Sequence, residues 1–362
     1  MDEYLIDGTK LPYHPHRVAQ WLEAKDDWEM AKKIYPIYVE IAPVGACNHR
    51  CTFCSVDYIG YKAVMQDAEV LSERITEMAL LGVKSIMFAG EGEPLLYKQM
   101  DAIVGHTVTE GVDVSFTTNG VLLNKLDTLP LCSWVKVSLN AGSAGTYAAI
   151  HRTDAKDWTT VWRNLESAAK RKGNCTLGVQ TLLLPENADE MVVLARMCRD
   201  AGVDYLVIKP YTQAKYSDTR IYEGLAYDKA KDGFGGYTKE LDAALQSFNT
   251  DTFRVIPRAQ SMMEAQNPQK YEKCHATPYL WAYIMATGEV YSCSAYLLDE
   301  RFRLGNINDA SFKEIWEGER RHENWKFVRQ ELDITECRKN CRMNRSNIFL
   351  EGFKTTQHVN FI

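Results

Sequence analysis

Three cysteines, Cys47, Cys51 and Cys54, are spaced C-x3-C-x2-C in the run Cys47-Asn48-His49-Arg50-Cys51-Thr52-Phe53-Cys54. Three thiolates can hold three corners of a four-iron cluster and leave the fourth iron open to a small ligand. A structural zinc site usually takes four protein ligands, and beside its cysteines this loop offers only His49. Zinc is the competing chemistry. Four further cysteines, Cys274, Cys293, Cys337 and Cys341, occupy the C-terminal third. Four thiolates are enough to close a cluster, or to hold a structural zinc, without any open position.

The elements that must position these groups follow from the pattern of apolar residues. Short β-type runs at 37–44, 85–90, 113–120, 134–140, 176–183 and 204–211 alternate with amphipathic stretches such as 71–81 and 158–171. Alternation of this kind argues for parallel βαβ units, and right-handed crossovers wind six of them into an α/β fold, a partial (β/α)6 TIM-like barrel. Sites in such barrels form where the C-terminal ends of strands meet the following loops. The first strand delivers the three-cysteine loop to that end. Ahead of it lies a helical leader, residues 1–36, and the barrel is expected over 37–213. Residues 214–270 read as a connector, with a flexible break at Asp232-Gly233-Phe234-Gly235-Gly236 and a helical run near 237–248. A small C-terminal domain takes 271–362, where Thr287-Gly288 reads as a turn feeding a strand that carries Cys293.

The three-cysteine loop, with the aromatic Phe53 before its last cysteine, resembles the signature of radical S-adenosylmethionine (SAM) enzymes. The resemblance implies that Cys47, Cys51 and Cys54 ligate a [4Fe-4S] cluster whose open iron chelates SAM, and that Phe53 lies against the adenine. Gly90-Glu91-Gly92-Glu93-Pro94, after the second strand, is similar to the family's GGEP-type motif, which receives the SAM amino group. Ser138 and Asn140 at the end of the fourth strand share one face, and resemble the family's ribose and carboxylate contacts. Arg152 resembles a carboxylate-pairing arginine, since a guanidinium can grip a carboxylate with two parallel hydrogen bonds. Asn119-Gly120, Gln180 and Lys209 fall at or near strand ends and are pocket candidates.

The C-x13-G-x4-C and C-x3-C spacing of the C-terminal cysteines resembles the auxiliary-cluster region of the SPASM and twitch subfamilies, as does Leu304-Gly305-Asn306-Ile307 leading into a helix. A complete SPASM domain has about seven cysteines, so four imply one auxiliary [4Fe-4S] cluster. The family chemistry implied is one-electron cleavage of SAM to a 5′-deoxyadenosyl radical that abstracts hydrogen from an unactivated carbon. The electron would come from an external reductant such as flavodoxin or ferredoxin. Cys132, Cys175 and Cys198 are left over and, with Lys209, are candidates for hydrogen donation or acid–base work, although free cysteines commonly just pack.

Composition bounds the alternatives. The chain has 362 residues with 46% hydrophobic and 25% charged content, ordinary values for a globular enzyme. Its formal charge of −6 gives no general reason to bind nucleic acid. No apolar run approaches the ~18 residues of a membrane span, and the N-terminus lacks a secretion signal, so a cytoplasmic location is expected. The ~36 residues before the first strand are too few for a separate peptide-recognition domain. This favours oxidation or epimerisation of a small, polar, sugar-like substrate, with modification of a ribosomal peptide or protein side chain as the alternative. A non-catalytic iron–sulfur or zinc protein is the reading from another class.

Overall fold

The structure, a computed structural model, describes residues 4–6, 8–227, 236–264, 267 and 269–361. Its centre is one sheet of strands β1 (Tyr38–Ile41), β2 (Ser85–Phe88), β3 (Asp113–Thr118), β4 (Trp134–Ser138), β5 (Thr176–Leu183), β6 (Tyr205–Pro210), β7 (Arg254–Pro257), β8 (Trp281–Ile284), β9 (Glu289–Tyr291) and β10 (Arg303–Asn306). The strand order is β10-β9-β8-β1-β2-β3-β4-β5-β6-β7. From β8 to β7 every neighbouring pair is parallel, and β8, β9 and β10 form an antiparallel meander. This is the α/β architecture of a partial TIM-like barrel, with a C-terminal region joined to it.

Two strands extend the six legible in the sequence. β7 lies inside the stretch read as a connector and pairs with β6, and the helix Lys239–Gln246 precedes it. Only four residues long and bounded by Arg254 and Pro257, β7 lacks an apolar run to announce it; its proline suits an edge strand, where no donor is missed. β8 belongs to the C-terminal region yet pairs in parallel with β1, Tyr38 opposite Trp281 and Ile41 opposite Ile284. The C-terminal region is therefore continuous with the barrel sheet. Residues 232–235 of the expected glycine break lie outside the described residues.

Side chains alternate across the parallel strands. Val39, Ile41, Ile86, Phe88, Val114, Phe116, Val135, Val137, Leu206 and Ile208 are buried in the main hydrophobic core. Helices cover that outer face: Ala68–Leu80 buries Leu71, Ile75 and Met78, one stripe at helical spacing, and is capped by Asp67, whose carboxylate accepts from the N–H groups of Glu69 and Val70. The helix Lys156–Arg171 buries Val161, Trp162, Leu165 and Ala168 in the same way. The opposite positions, Glu40, Met87, Thr117, Lys136, Gln180 and Lys209, face an interior cavity. Arg321, fully buried, donates to the carbonyls of Pro278 and Trp316 and stacks 4.1 Å over the Trp316 ring.

Candidate active site at the barrel mouth

The cysteine loop is held from both sides. The N–H groups of Arg50 and Thr52 donate to the carbonyls of His151 (3.1 Å) and Ile150 (2.9 Å), which close the helix Ala144–His151 and have no helical partner of their own. The Arg50 guanidinium donates to the carbonyls of Cys47 and His49, each at 2.7 Å. Opposite, Ser217 donates to the Cys54 carbonyl at 2.8 Å and Thr219 to that of Thr52 at 3.1 Å. Burial pushes the three thiols up, Cys47 to about 11, and the neighbouring sulfurs push Cys51 further. Three thiolates held in one half-buried loop call for a cation, and the donor set suits an iron–sulfur cluster.

His49, the loop's one candidate for a fourth ligand, turns Nε2 to Asp157 Oδ2 at 3.3 Å. His49, Cys51 and His151 do bring three ligand atoms within 4.8 Å of one another, but Cys51 is the only one of the three cysteines in that group. His151 is fully buried, and both its ring nitrogens have partners. Nε2 faces the backbone N–H of Asn140 at 3.2 Å and therefore accepts, which leaves the proton on Nδ1, 3.4 Å from Cys51 Sγ. Burial, followed by the nearby His49, holds the ring well below its ordinary pKa. A neutral imidazole thus donates to the Cys51 sulfur. The sequence offered no spacing that would link His151 to Cys51.

The second motif is a clamp as well as a cradle. Gly90 has φ +118°, and a Cβ there would meet Ala42 and the Tyr283 hydroxyl; a Cβ on Gly92 would overlap the carbonyl oxygens of Val44 and Ala46. The Gly92 position thus requires glycine because the loop lies against the chain leading into the cysteines. The two carboxylates turn inward. Glu93 accepts from Thr118 Oγ1, from the Asn119 N–H at 2.8 Å and from the Leu95 N–H at 3.2 Å. Glu91 accepts from the Ala286 N–H just beyond β8, and burial raises its carboxyl to about 7.

Other expected contacts divide. Phe53 is half-buried, edge-on to His151 at 5.6 Å. Ser138 closes β4 opposite Gln180. Asn140, expected to face SAM, is 1% exposed; its oxygen accepts from the Leu182 N–H at 2.6 Å and its amide nitrogen lies 3.3 Å from His151. Its side chain is committed to the scaffold. Arg152 is exposed in a left-handed cap after the helix that supplies His151. Asn119 makes a turn, accepting from the Val121 N–H, while its amide donates to Asn48 Oδ1 in the cysteine loop at 2.7 Å. Cys132, Cys175 and Cys198 are core packing residues, buried with raised thiols, and do not line the cavity.

Cys274, Cys293, Cys337 and Cys341 all border the interior cavity of about 450 Å³ that also reaches Gly90, Lys136 and Lys209. Each of Cys293 and Cys341 is raised by burial and then by other members of the four, so these thiols form one electrostatic group. The Tyr296 hydroxyl lies 3.2 Å from Cys337 Sγ. Four thiols beside one cavity would suit a cluster closed by protein ligands. Cavity residues that sequence reasoning passed over are Glu40, Lys136, Arg258 and Arg342. For Lys136 the signal was present: Trp134-Val-Lys136-Val-Ser138 alternates, placing Lys136 on the Ser138 face.

Residues 41–198 match the family model of the Radical SAM superfamily, and residues 274–342 match the SPASM model, an iron–sulfur cluster-binding domain. Residues 41–198 thus form a radical SAM domain, and residues 274–342 an auxiliary-cluster domain of the SPASM type. Among curated relatives the chain is similar to the GTP 3′,8-cyclase of Chlorobaculum tepidum, 31% identical over 188 residues, which cover 48% of this chain and 54% of the cyclase. The match thus spans little more than half of that relative. The cysteine-type anaerobic sulfatase-maturating enzyme of Clostridium perfringens is 22% identical over 85% of this chain and 86% of its own. Among solved structures, Streptococcus suis SuiB bound to S-adenosylmethionine superposes with TM-score 0.65 at 14% identity, over 92% of this chain and 79% of SuiB. SuiB bound to its precursor peptide SuiA gives 0.62 at 15%, over 83% and 68%. At these identities the structural likeness establishes the fold. Among the described residues no helix is long and apolar enough to cross a membrane.

Proposed function

We propose that this protein is a radical SAM enzyme that removes hydrogen from an unactivated carbon of a peptide or protein side chain. The observation that carries the radical chemistry is the three-cysteine loop pinned at the barrel mouth from both sides. Cys47, Cys51 and Cys54 would hold a [4Fe-4S] cluster, which when bound supplies the electron that splits SAM into methionine and a 5′-deoxyadenosyl radical. The chain's own part is to bind, orient and exclude water. Carbonyls of the Gly90–Pro94 loop would accept from the SAM ammonium, Phe53 would pack on the adenine and Ser138 would bond the ribose. Cys274, Cys293, Cys337 and Cys341 would hold one auxiliary cluster beside the same cavity. A substrate radical that loses a proton there can pass its electron on, leaving an oxidised product.

The preference for a sugar-like substrate rested on the short segment before β1. The peptide alternative has the better support. The sulfatase-maturating relative aligns over both domains and nearly its whole length, whereas the cyclase match covers about half. SuiB, which shares the fold, has been solved with a precursor peptide bound. The test is anaerobic reconstitution with iron counting, then dithionite and SAM with and without candidate peptides. About eight irons, 5′-deoxyadenosine and a peptide lighter by two hydrogens are expected. Stoichiometric zinc, or iron without SAM cleavage, contradicts the radical reading; cleavage that modifies only a sugar contradicts the peptide one.

A further inference from the structure

The helices Pro15–Ala24 and Asn344–Thr355 take no part in the proposed chemistry, yet both line a groove of about 490 Å³ that reaches the auxiliary cysteines. Cys274 borders this groove on one side and the interior cavity on the other, the one described residue common to both linings. Asn347 holds it there. The Asn347 amide nitrogen lies 3.6 Å from Cys274 Sγ, while its oxygen accepts from the N–H groups of His275 and Ala276 at 2.7 and 2.8 Å.

The groove has the anatomy of a protein contact surface. Its apolar part is Trp21, half-buried, with Leu22 and Phe353, both exposed. Large apolar side chains gathered in one groove, unlike single exposed ones, mark a place where another molecule sits. The rim is cationic. Lys25 ends the helix that carries Trp21, Lys273 directly precedes Cys274, and Lys354 Nζ lies 5.8 Å from the centre of the Trp21 ring, which meets His275 edge-on at 5.5 Å. None of the three lysines forms an ion pair with a described carboxylate. Asp26, the one carboxylate in the lining, pairs with Arg329, and the nearby Glu351 is turned to His275. A chain of formal charge −6 thus gathers unmatched cations over a thiol of its second centre.

We propose that this groove docks a small acidic one-electron carrier protein, which takes the electron from the auxiliary centre. This rests on the reading that Cys274, Cys293, Cys337 and Cys341 hold a cluster that accepts an electron from the substrate radical. An electron that enters from the chamber must leave before the next turnover, and Cys274 stands between chamber and groove. In the transfer the reduced cluster loses one electron, and the oxidised flavin of a flavodoxin-type carrier gains it together with a proton from solvent, becoming the semiquinone. The lysines steer and orient the carrier, and the apolar residues hold it.

The test uses the full chain reconstituted with iron and sulfide in the Cys51→Ala background, where only the auxiliary centre is loaded, and oxidised flavodoxin as the probe. Calorimetry measures binding, and the rise of semiquinone measures electron transfer from protein reduced by dithionite and freed of excess reductant. The triple variant Lys25→Gln, Lys273→Gln, Lys354→Gln should weaken binding about tenfold or more in low salt and slow semiquinone formation alike. A control triple, Lys98→Gln, Lys125→Gln, Lys170→Gln, loses the same charge outside the groove and should stay within about twofold of its parent. All these lysines are exposed, so iron content and melting should be unchanged. Equal losses in the two triples reduce the effect to net charge and overturn the proposal. So do absence of binding, binding without semiquinone, or a glutamate-rich hexapeptide that binds as tightly and depends on the same lysines. SAM cleavage by the otherwise wild-type protein with dithionite needs no carrier. Its absence rejects the radical chemistry alone, whereas cleavage without carrier binding rejects the groove alone.

Discussion

The two cysteine groups are built in opposite ways. Cys47, Cys51 and Cys54 come from one loop, stapled to a helix end and to the segment 217–219. Cys274, Cys293, Cys337 and Cys341 come from distant points of the C-terminal region, border one cavity and influence one another's thiols. A local group can present an open corner, since three donors close in sequence face one way. A gathered group surrounds what it binds. The difference is what the proposed reading requires of an open centre that would bind SAM and of a closed one that would accept an electron.

The largest contrast should come from removing one thiol in each region. Cys51→Ala should abolish SAM cleavage and lower iron content by about half. Cys293→Ala should remove a similar amount of iron yet keep cleavage to 5′-deoxyadenosine, with product formation lost. Iron counting and chromatography check both. Equal loss of cleavage in the two variants would erase the division of labour.

Glycine substitutions sharpen the same comparison. Gly92→Ala drives a methyl into backbone carbonyls of Val44 and Ala46, which cannot step aside, and should cost about 2–3 kcal/mol and depress SAM binding strongly. Gly288→Ala in the β8–β9 turn meets first the side chains of Asn306 and Asn308, rather than backbone, at φ +85°. It should cost about 1 kcal/mol and leave SAM binding near normal. Chemical denaturation and equilibrium binding measure the pair.

Glu91 bridges the regions, reaching from the SAM loop to the Ala286 N–H. Burial raises its folded carboxyl to about 7 from a usual value of 4.5, with the Ala286 N–H opposing. The folded state therefore prefers the protonated form: the contribution is complete below pH 4.5 and is lost as pH rises through 7. Glu91→Gln should exceed wild type in stability by about 2–3 kcal/mol at pH 8, with the gap closing toward pH 4.5. Thermal melts across that window would detect it, and a constant gap would contradict the shift.

The smallest effects concern the donors to sulfur. His151 serves Cys51, and Tyr296 lies beside Cys337. A hydrogen bond to a cluster sulfur favours the more negative, reduced form, so removing one lowers the potential. His151→Phe should shift the first centre, and Tyr296→Phe the second, each by about 40 mV for a bond worth ~1 kcal/mol. Redox titration followed by spectroscopy assigns each shift to its centre.

The same contrast decides what the sequence could reveal. The cysteine loop and the Gly90–Pro94 loop were legible because chemistry and spacing are local, and six strands were legible because apolar alternation is local. β7 was hidden by its arginine and proline, and β8 by belonging to a segment that looked separate. His151 escaped notice because its contact with Cys51 spans 100 residues in sequence. Asn140 had the expected place at a strand end, but tertiary packing turned its side chain to Leu182 and His151.

The central claim is that the open corner belongs to the three-cysteine loop and is where SAM docks. Electron–nuclear double resonance on the reduced protein, with SAM carrying 15N in its amino group, tests this directly. A 15N coupling to the cluster should be present in wild type, persist in Cys293→Ala and vanish in Cys51→Ala. A coupling that is absent from wild type, or that disappears with Cys293 instead, would contradict it.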